Sequence, residues 1–154
     1  MNRAPHLLLV EAPYYAHLAA LLREGAERAV AAAGASCEIV AVPGAFEIPA
    51  AIALAAKAAA GRFDGFVALG CVIRGQTTHY DHICAETARS LQDLAVRDGL
   101  AVGYGILTVE NEAQALVRAA PVEHKTGGRD KGGEAVRACL ALVELRRRFR
   151  GNEG

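Results

Sequence analysis

Four short apolar runs, HLLLVE (His6–Glu11), SCEIVAV (Ser36–Val42), GFVALGCV (Gly65–Val72) and AVGYGIL (Ala101–Leu107), recur along the chain with a longer stretch of helical spacing after each. Continuous hydrophobicity over so few residues marks strands covered on both faces. Between and beyond them, helices are predicted over Ala16–Ala33, Glu47–Ala60, His79–Asp98, Glu112–Ala119 and Lys131–Arg148. In the first helix, Leu18, Leu21, Leu22, Ala26, Ala29 and Val30 recur at helical spacing, and Gly34 stops it. Pro49 is tolerated in the first turn of the second, and Gly61 ends it. Strict strand–helix alternation implies a four-stranded parallel sheet in a three-layer α/β/α sandwich with right-handed crossovers.

At 154 residues the chain is expected to form one domain, with no internal repeat and no low-complexity linker. The long irregular stretch is Ala120–Asp130. Seventeen basic and seventeen acidic residues cancel, which disfavours nucleic acid as the main partner, because binding a phosphate backbone needs a basic surplus. The cluster Arg146–Arg148 with Arg150 closes a predicted helix, where cations meet the negative end of the dipole. Cys37, Cys71, Cys84 and Cys139 show neither a CxxC pair nor zinc spacing, and the apolar neighbours of Cys37, Cys71 and Cys139 suit buried thiols. No signal peptide and no membrane-spanning run is read, so a reduced, cytoplasmic setting is expected.

In open α/β sheets ligands bind beyond the carboxyl ends of the strands. That places the candidate chemistry at Ala12–Tyr15, Pro43–Glu47, Val72–His79 and Thr108–Asn111. The third segment is the richest: Gln76, Thr77 and Thr78 precede a helix whose first N–H groups lack internal partners and favour an anion. A threonine N-cap explains the same residues, and spacing alone favours that cap. His79 enters the helix at its positive end, where an imidazole suits proton transfer near neutral pH; a solvated histidine fits equally. Glu47 at a helix start is either a dipole-stabilising acid or an acceptor for ligand hydroxyls. In a chain only 5% aromatic, Tyr14, Tyr15, Phe46 and Tyr104 are available to stack a flat ligand, with core packing as the default reading. Arg118 and Lys131 taken singly are ordinary surface charges, although an arginine aimed at a phosphate holds it in a bidentate way. The residues alone therefore reach a small-molecule site for an anion and a flat ring, and no reaction.

Three motifs carry a resemblance to a known family: PGAFEIP (Pro43–Pro49), ALGCVIRGQTTHYDHI (Ala68–Ile83), and GILTVEN (Gly105–Asn111) followed by Arg118. From about Leu7 to Phe149 the chain resembles the lumazine synthases, whose fold is flavodoxin-like. That family condenses 5-amino-6-(D-ribitylamino)uracil with 3,4-dihydroxy-2-butanone 4-phosphate to 6,7-dimethyl-8-ribityllumazine, without metal or cofactor. The resemblance implies that Tyr14 stacks the pyrimidine, that Ala45, Phe46 and Glu47 bind the ribityl chain and ring edge, and that Cys71, Val72 and Ile73 offer backbone contacts. It further implies that Gln76, Thr77 and Arg118 hold the phosphate, that His79 moves protons, that Tyr104 lines the pocket of a neighbouring subunit, and that Lys131 assists nearby.

Pro13 replaces a frequent Arg, Tyr14-Tyr15 a more usual Phe-Asn, and Tyr104 a Phe, while the segment from Arg118 to Lys131 is longer than in many members. Family members are homopentamers, some building icosahedral shells. The longer Gly-rich segment and short N-terminus lead to an expected pentamer, alone or paired into a decamer. A non-catalytic lumazine- or flavin-binding paralogue is the alternative, disfavoured because a pure binder need not keep both phosphate and proton-transfer groups. A phospho-acceptor signalling domain would need an acidic cluster at the strand ends, and Glu11 alone does not make one.

Overall fold

A computed structural model of the chain describes residues 3–124 and 127–151; positions 125 and 126 of the irregular stretch, and the chain's first two and last three positions, lie outside the described residues. Four strands, β1 (His6–Glu11), β2 (Ser36–Ala41), β3 (Gly65–Ile73) and β4 (Val102–Val109), form one parallel sheet in the order β2-β1-β3-β4. The helices are α1 (Ala16–Ala32), α2 (Ile48–Ala58), α3 (His79–Asp98), α4 (Glu112–Ala119) and α5 (Lys131–Phe149).

The period-two alternation of strand side chains divides the core into two faces. Leu7, Leu9, Val67 and Leu69 pack against Ala26, Ala29 and Val30 of α1 and Val136, Cys139 and Val143 of α5. Leu8, Val10, Phe66, Ala68 and Ile106 point the other way, onto Ile48 and Ile52 of α2 and Leu91 of α3. Towards the carboxyl end of β4, Leu107 and Val109 join Leu18 and Leu22 of α1 and Ala115 and Ala119 of α4. The fold is thus the expected α/β sandwich. Leu7, Leu9 and Leu18 are wholly buried, and each such side chain contributes about 1.5–3 kcal/mol relative to exposure.

Glycine allows backbone to touch backbone where helices seat. A Cβ on Gly103 of β4 would stand 2.1 Å from the Ala135 carbonyl oxygen of α5, and one on Gly132 of α5 would stand 2.1 Å from that of Leu22 in α1. These contacts clamp α5 to β4 on one side and to α1 on the other.

Several boundaries differ from the sequence expectation. Ala45–Glu47 forms a 3₁₀ turn, closed by the Glu47 N–H donating to the Gly44 carbonyl at 3.1 Å, and α2 proper begins at Ile48. That helix stops at Ala58, ahead of Gly61. β3 and β4 end later than read, because Ile73 pairs with Val109 and Val72 with Thr108; Ile73, Thr108 and Val109 belong to the sheet and not to loops. Edge strand β2 has no wholly buried residue, so cover on both faces holds for the inner strands only. Cys37 and Cys71 are half-buried and only Cys139 is fully enclosed. Among the described residues, no helix is long and apolar enough to cross a membrane.

Candidate active site

The carboxyl ends of the strands bring the expected segments to one end of the sheet. Glu11 closes β1, pairing with Ala41 of β2 and Leu69 of β3. Its carboxylate is only 5% exposed and takes two hydrogen bonds from Arg23, at 3.1 and 2.7 Å. A buried carboxylate needs such a partner, and this pair fastens α1 to the end of β1. Beyond it, the Tyr14 N–H donates to the Ala12 carbonyl at 2.9 Å and turns the chain. Tyr14 is 76% exposed and meets Tyr15 edge-on, with ring centroids 5.0 Å apart. A flat ligand therefore finds a bare aromatic face at this strand end.

After β2, the 3₁₀ turn buries Ala45 and leaves Phe46 and Glu47 exposed. The Glu47 carboxylate folds back over Gly44, where a Cβ would lie 3.2 Å from Oε2. Glu47 also stands immediately before α2, where its charge is favoured by the helix dipole.

After β3, Gly75–Thr78 is exposed and α3 begins at His79. The favoured threonine cap does not form. Thr78 occupies the cap position with helical φ and ψ and no side-chain bond, because a residue already in the helical region aims its hydroxyl away from the first-turn amides. Thr77 Oγ1 accepts only a long 3.4 Å bond from the His79 N–H. The helix start thus has no side-chain cap and faces solvent beside Gln76, Thr77 and the exposed His79 ring, a setting suited to an anion. Cys71 and Ile73 pack their side chains under α1 and α4, whereas Val72 packs towards α2 and α3. Burial pushes the Cys71 thiol up to about 11, so it is protonated at neutral pH and is no nucleophile there.

After β4, Asn111 caps α4 by accepting from the Gln114 N–H at 2.9 Å, and Gln114 Oε1 accepts from the Glu110 N–H at 2.9 Å. This reciprocal pair fixes the start of an eight-residue helix. Arg118 sits one turn on, donating from Nη1 to the Gln114 carbonyl at 3.0 Å. The Arg129 N–H donates to the Val117 carbonyl and the Asp130 N–H to that of Ala120, both at 2.9 Å, so the start of α5 is tied to the end of α4. Lys131 begins α5 directly after this tie, with its ammonium held by both Glu134 oxygens at 3.0 and 2.9 Å.

Tyr104 is the exception. It lies mid-strand, opposite Ala68, five residues before the end of β4, about 16 Å short of the strand ends at the usual rise. Its ring is 45% exposed and borders a groove of about 570 Å³ with Ala88, Leu91, Gln92, Val102 and Leu142. Within one chain Tyr104 thus stands apart from Tyr14, Phe46 and the Gln76–His79 segment, which follow the strand ends. Among the described residues, no group of three or more His, Cys, Asp and Glu side chains is placed to hold a metal ion.

Comparison with known proteins decides the family. The family model for 6,7-dimethyl-8-ribityllumazine synthase matches residues 4–147, which takes in every segment above. The chain belongs to the 6,7-dimethyl-8-ribityllumazine synthase family. It is 53% identical to 6,7-dimethyl-8-ribityllumazine synthase 1 of Rhizobium meliloti (strain 1021), over 94% of this chain and 93% of that protein. It is 54% identical to the synthase of Sphingopyxis alaskensis, over 94% of this chain and 96% of that one. The Agrobacterium fabrum synthase is 49% identical over 96% of this chain and 98% of its own length. In this lumazine synthase family member Tyr14, the Ala45–Glu47 turn and the Gln76–His79 segment follow the ends of β1, β2 and β3, Arg118 lies on the helix after β4, and Arg74, which sequence reasoning passed over, lies between β3 and α3. Its position inside the longest motif was the available signal.

Proposed function

We propose that the chain condenses 5-amino-6-(D-ribitylamino)uracil with 3,4-dihydroxy-2-butanone 4-phosphate, releasing 6,7-dimethyl-8-ribityllumazine, phosphate and water in riboflavin biosynthesis. The observation that carries this reading is the juxtaposition, in a chain that matches the family over residues 4–147, of an uncapped helix start with His79 and an exposed aromatic at the end of the neighbouring strand. The substrate amine attacks the ketone to form an imine with loss of water, phosphate leaves by elimination to an enol that tautomerises to a new ketone, and the ribitylamino nitrogen closes the ring on that carbonyl with loss of a second water. Those steps call for a held leaving group and relocated protons more than for a strong nucleophile.

In this scheme Tyr14 stacks the pyrimidine. Ala45, Phe46 and Glu47 meet the ribityl chain and ring edge, and the Cys71–Ile73 backbone completes that wall. Gln76, Thr77 and Arg118 bind the phosphate, His79 carries protons, and Lys131, next to the Arg118 helix, adds a second positive charge. Mixing the two substrates and following lumazine fluorescence tests the reaction. Steady product formation is the expected result; saturable binding of the pyrimidine with no product would replace the enzyme by a lumazine-binding paralogue.

Tyr104 supports a site completed between subunits, because its groove is apolar, open and remote from its own chain's strand ends. A second groove of about 340 Å³ continues it through Ala95, Leu100 and Leu142. The assembly is a homopentamer, alone or paired into a decamer, working in the cytoplasm, where the four free thiols stay reduced. Light scattering is expected to return a mass of five or ten chains; a shell of megadalton mass would overturn this.

A further inference from the structure

Arg74 sits at the junction of three site elements. Its N–H donates to the Val109 carbonyl at 2.9 Å, the last rung between the β3 and β4 segments. Its Nε donates to Glu110 at 2.8 Å, at the turn that starts α4. Nη1 and Nη2 donate to Asp81, in the first turn of α3, at 3.4 and 3.2 Å. The guanidinium also lies over the Tyr80 ring, 4.3 Å from its centroid. From Glu110 the connection runs on through the Gln114 side chain to the helix bearing Arg118.

We propose that Arg74 is a positioning residue for phosphate recognition, a strut that sets the turn Gln76–Thr78 and the start of α3 at a fixed distance from the Arg118 helix. The inference rests on the phosphate role given above to Gln76, Thr77 and Arg118. Every nitrogen of the guanidinium is engaged with a carboxylate and one face lies on an aromatic ring. A phosphate binding directly to Arg74 would have to displace two carboxylates of its own sign. The side chain is 38% exposed, and ion pairs at such exposure contribute little to stability. What the planar fork adds is direction, because it spans two carboxylates at once, which a lysine ammonium on a flexible stem does not reproduce.

The test measures both KM values and the inhibition constant of inorganic phosphate for assembled wild type, Arg74→Ala, Arg74→Lys, Glu110→Gln and, as reference, Arg118→Ala. Arg74→Ala and Arg74→Lys are expected to raise the KM of the phosphate substrate and the phosphate inhibition constant by about tenfold, with the pyrimidine KM within about twofold of wild type. Glu110→Gln is expected to shift the same two constants in the same direction, since it removes one foot of the strut. Full rescue by lysine together with an unaffected Glu110→Gln would make Arg74 a direct phosphate ligand and overturn the proposal. So would wild-type constants in Arg74→Ala, or an equal rise in both KM values, the mark of a general structural defect. Phosphate inhibition lost in Arg118→Ala and intact in Arg74→Ala removes the strut alone. Inhibition intact in both removes the phosphate site and the strut with it.

Discussion

Alanine in place of His79 is expected to slow product formation by about 10²–10⁴-fold while leaving a measurable rate, the range over which a positioned acid–base group acts. His79 is the first residue of α3, exposed, and adjoins the uncapped turn that would hold the phosphate. A base there can take a proton from the carbon framework as the phosphate departs and return one during ring closure. Two substrates held side by side retain the advantage of proximity without it, so the residual rate is part of the expectation. Single-turnover fluorescence with both substrates saturating isolates this step from binding. A wild-type rate would remove His79 from the mechanism.

The second large effect is expected at Arg118. Hydrogen bonds to a charged group contribute about 1.5–3 kcal/mol, so Arg118→Ala should weaken the phosphate substrate by roughly one to two orders of magnitude, with the pyrimidine KM near wild type. The structure holds Arg118 on a helix whose start is capped by Asn111 and Gln114, so the loss should fall on binding and not on the fold. Steady-state kinetics with each substrate varied in turn provides the check. Unchanged KM and kcat would exclude this residue from the phosphate site.

Much of the architecture was legible from the chain. Helices α3 and α4 carry the bounds expected, because Gly99 turns left-handed after one, with φ of 65°, and Asn111 caps the other. The strands ran longer than their hydrophobicity because the pairing of Ile73 with Val109 is a contact between distant segments. The 3₁₀ turn at Ala45–Glu47 depends on one local bond from Glu47 to Gly44, and no periodicity announces it. At the site, residue type and spacing reached only an anion and a flat ring; the substrates came with the family. Arg74 reads as an ordinary charged loop residue because its partners, Asp81 and Glu110, lie seven and thirty-six positions away. The threonine cap was wrong for a conformational reason: Thr78 is already helical.

The outer strand β4 has a bearing on how such a chain must live. It is an edge strand of eight residues, VGYGILTV, without a charge or a proline. Folded proteins ordinarily blunt such an edge with lysine, proline or a bulge, because it offers a ready template for another chain. With its apolar groove alongside, it is the part of the subunit that a second copy would cover in the proposed assembly. For the homopentamer proposed above, unfolding and dissociation would be one equilibrium, and the melting temperature is expected to rise with protein concentration.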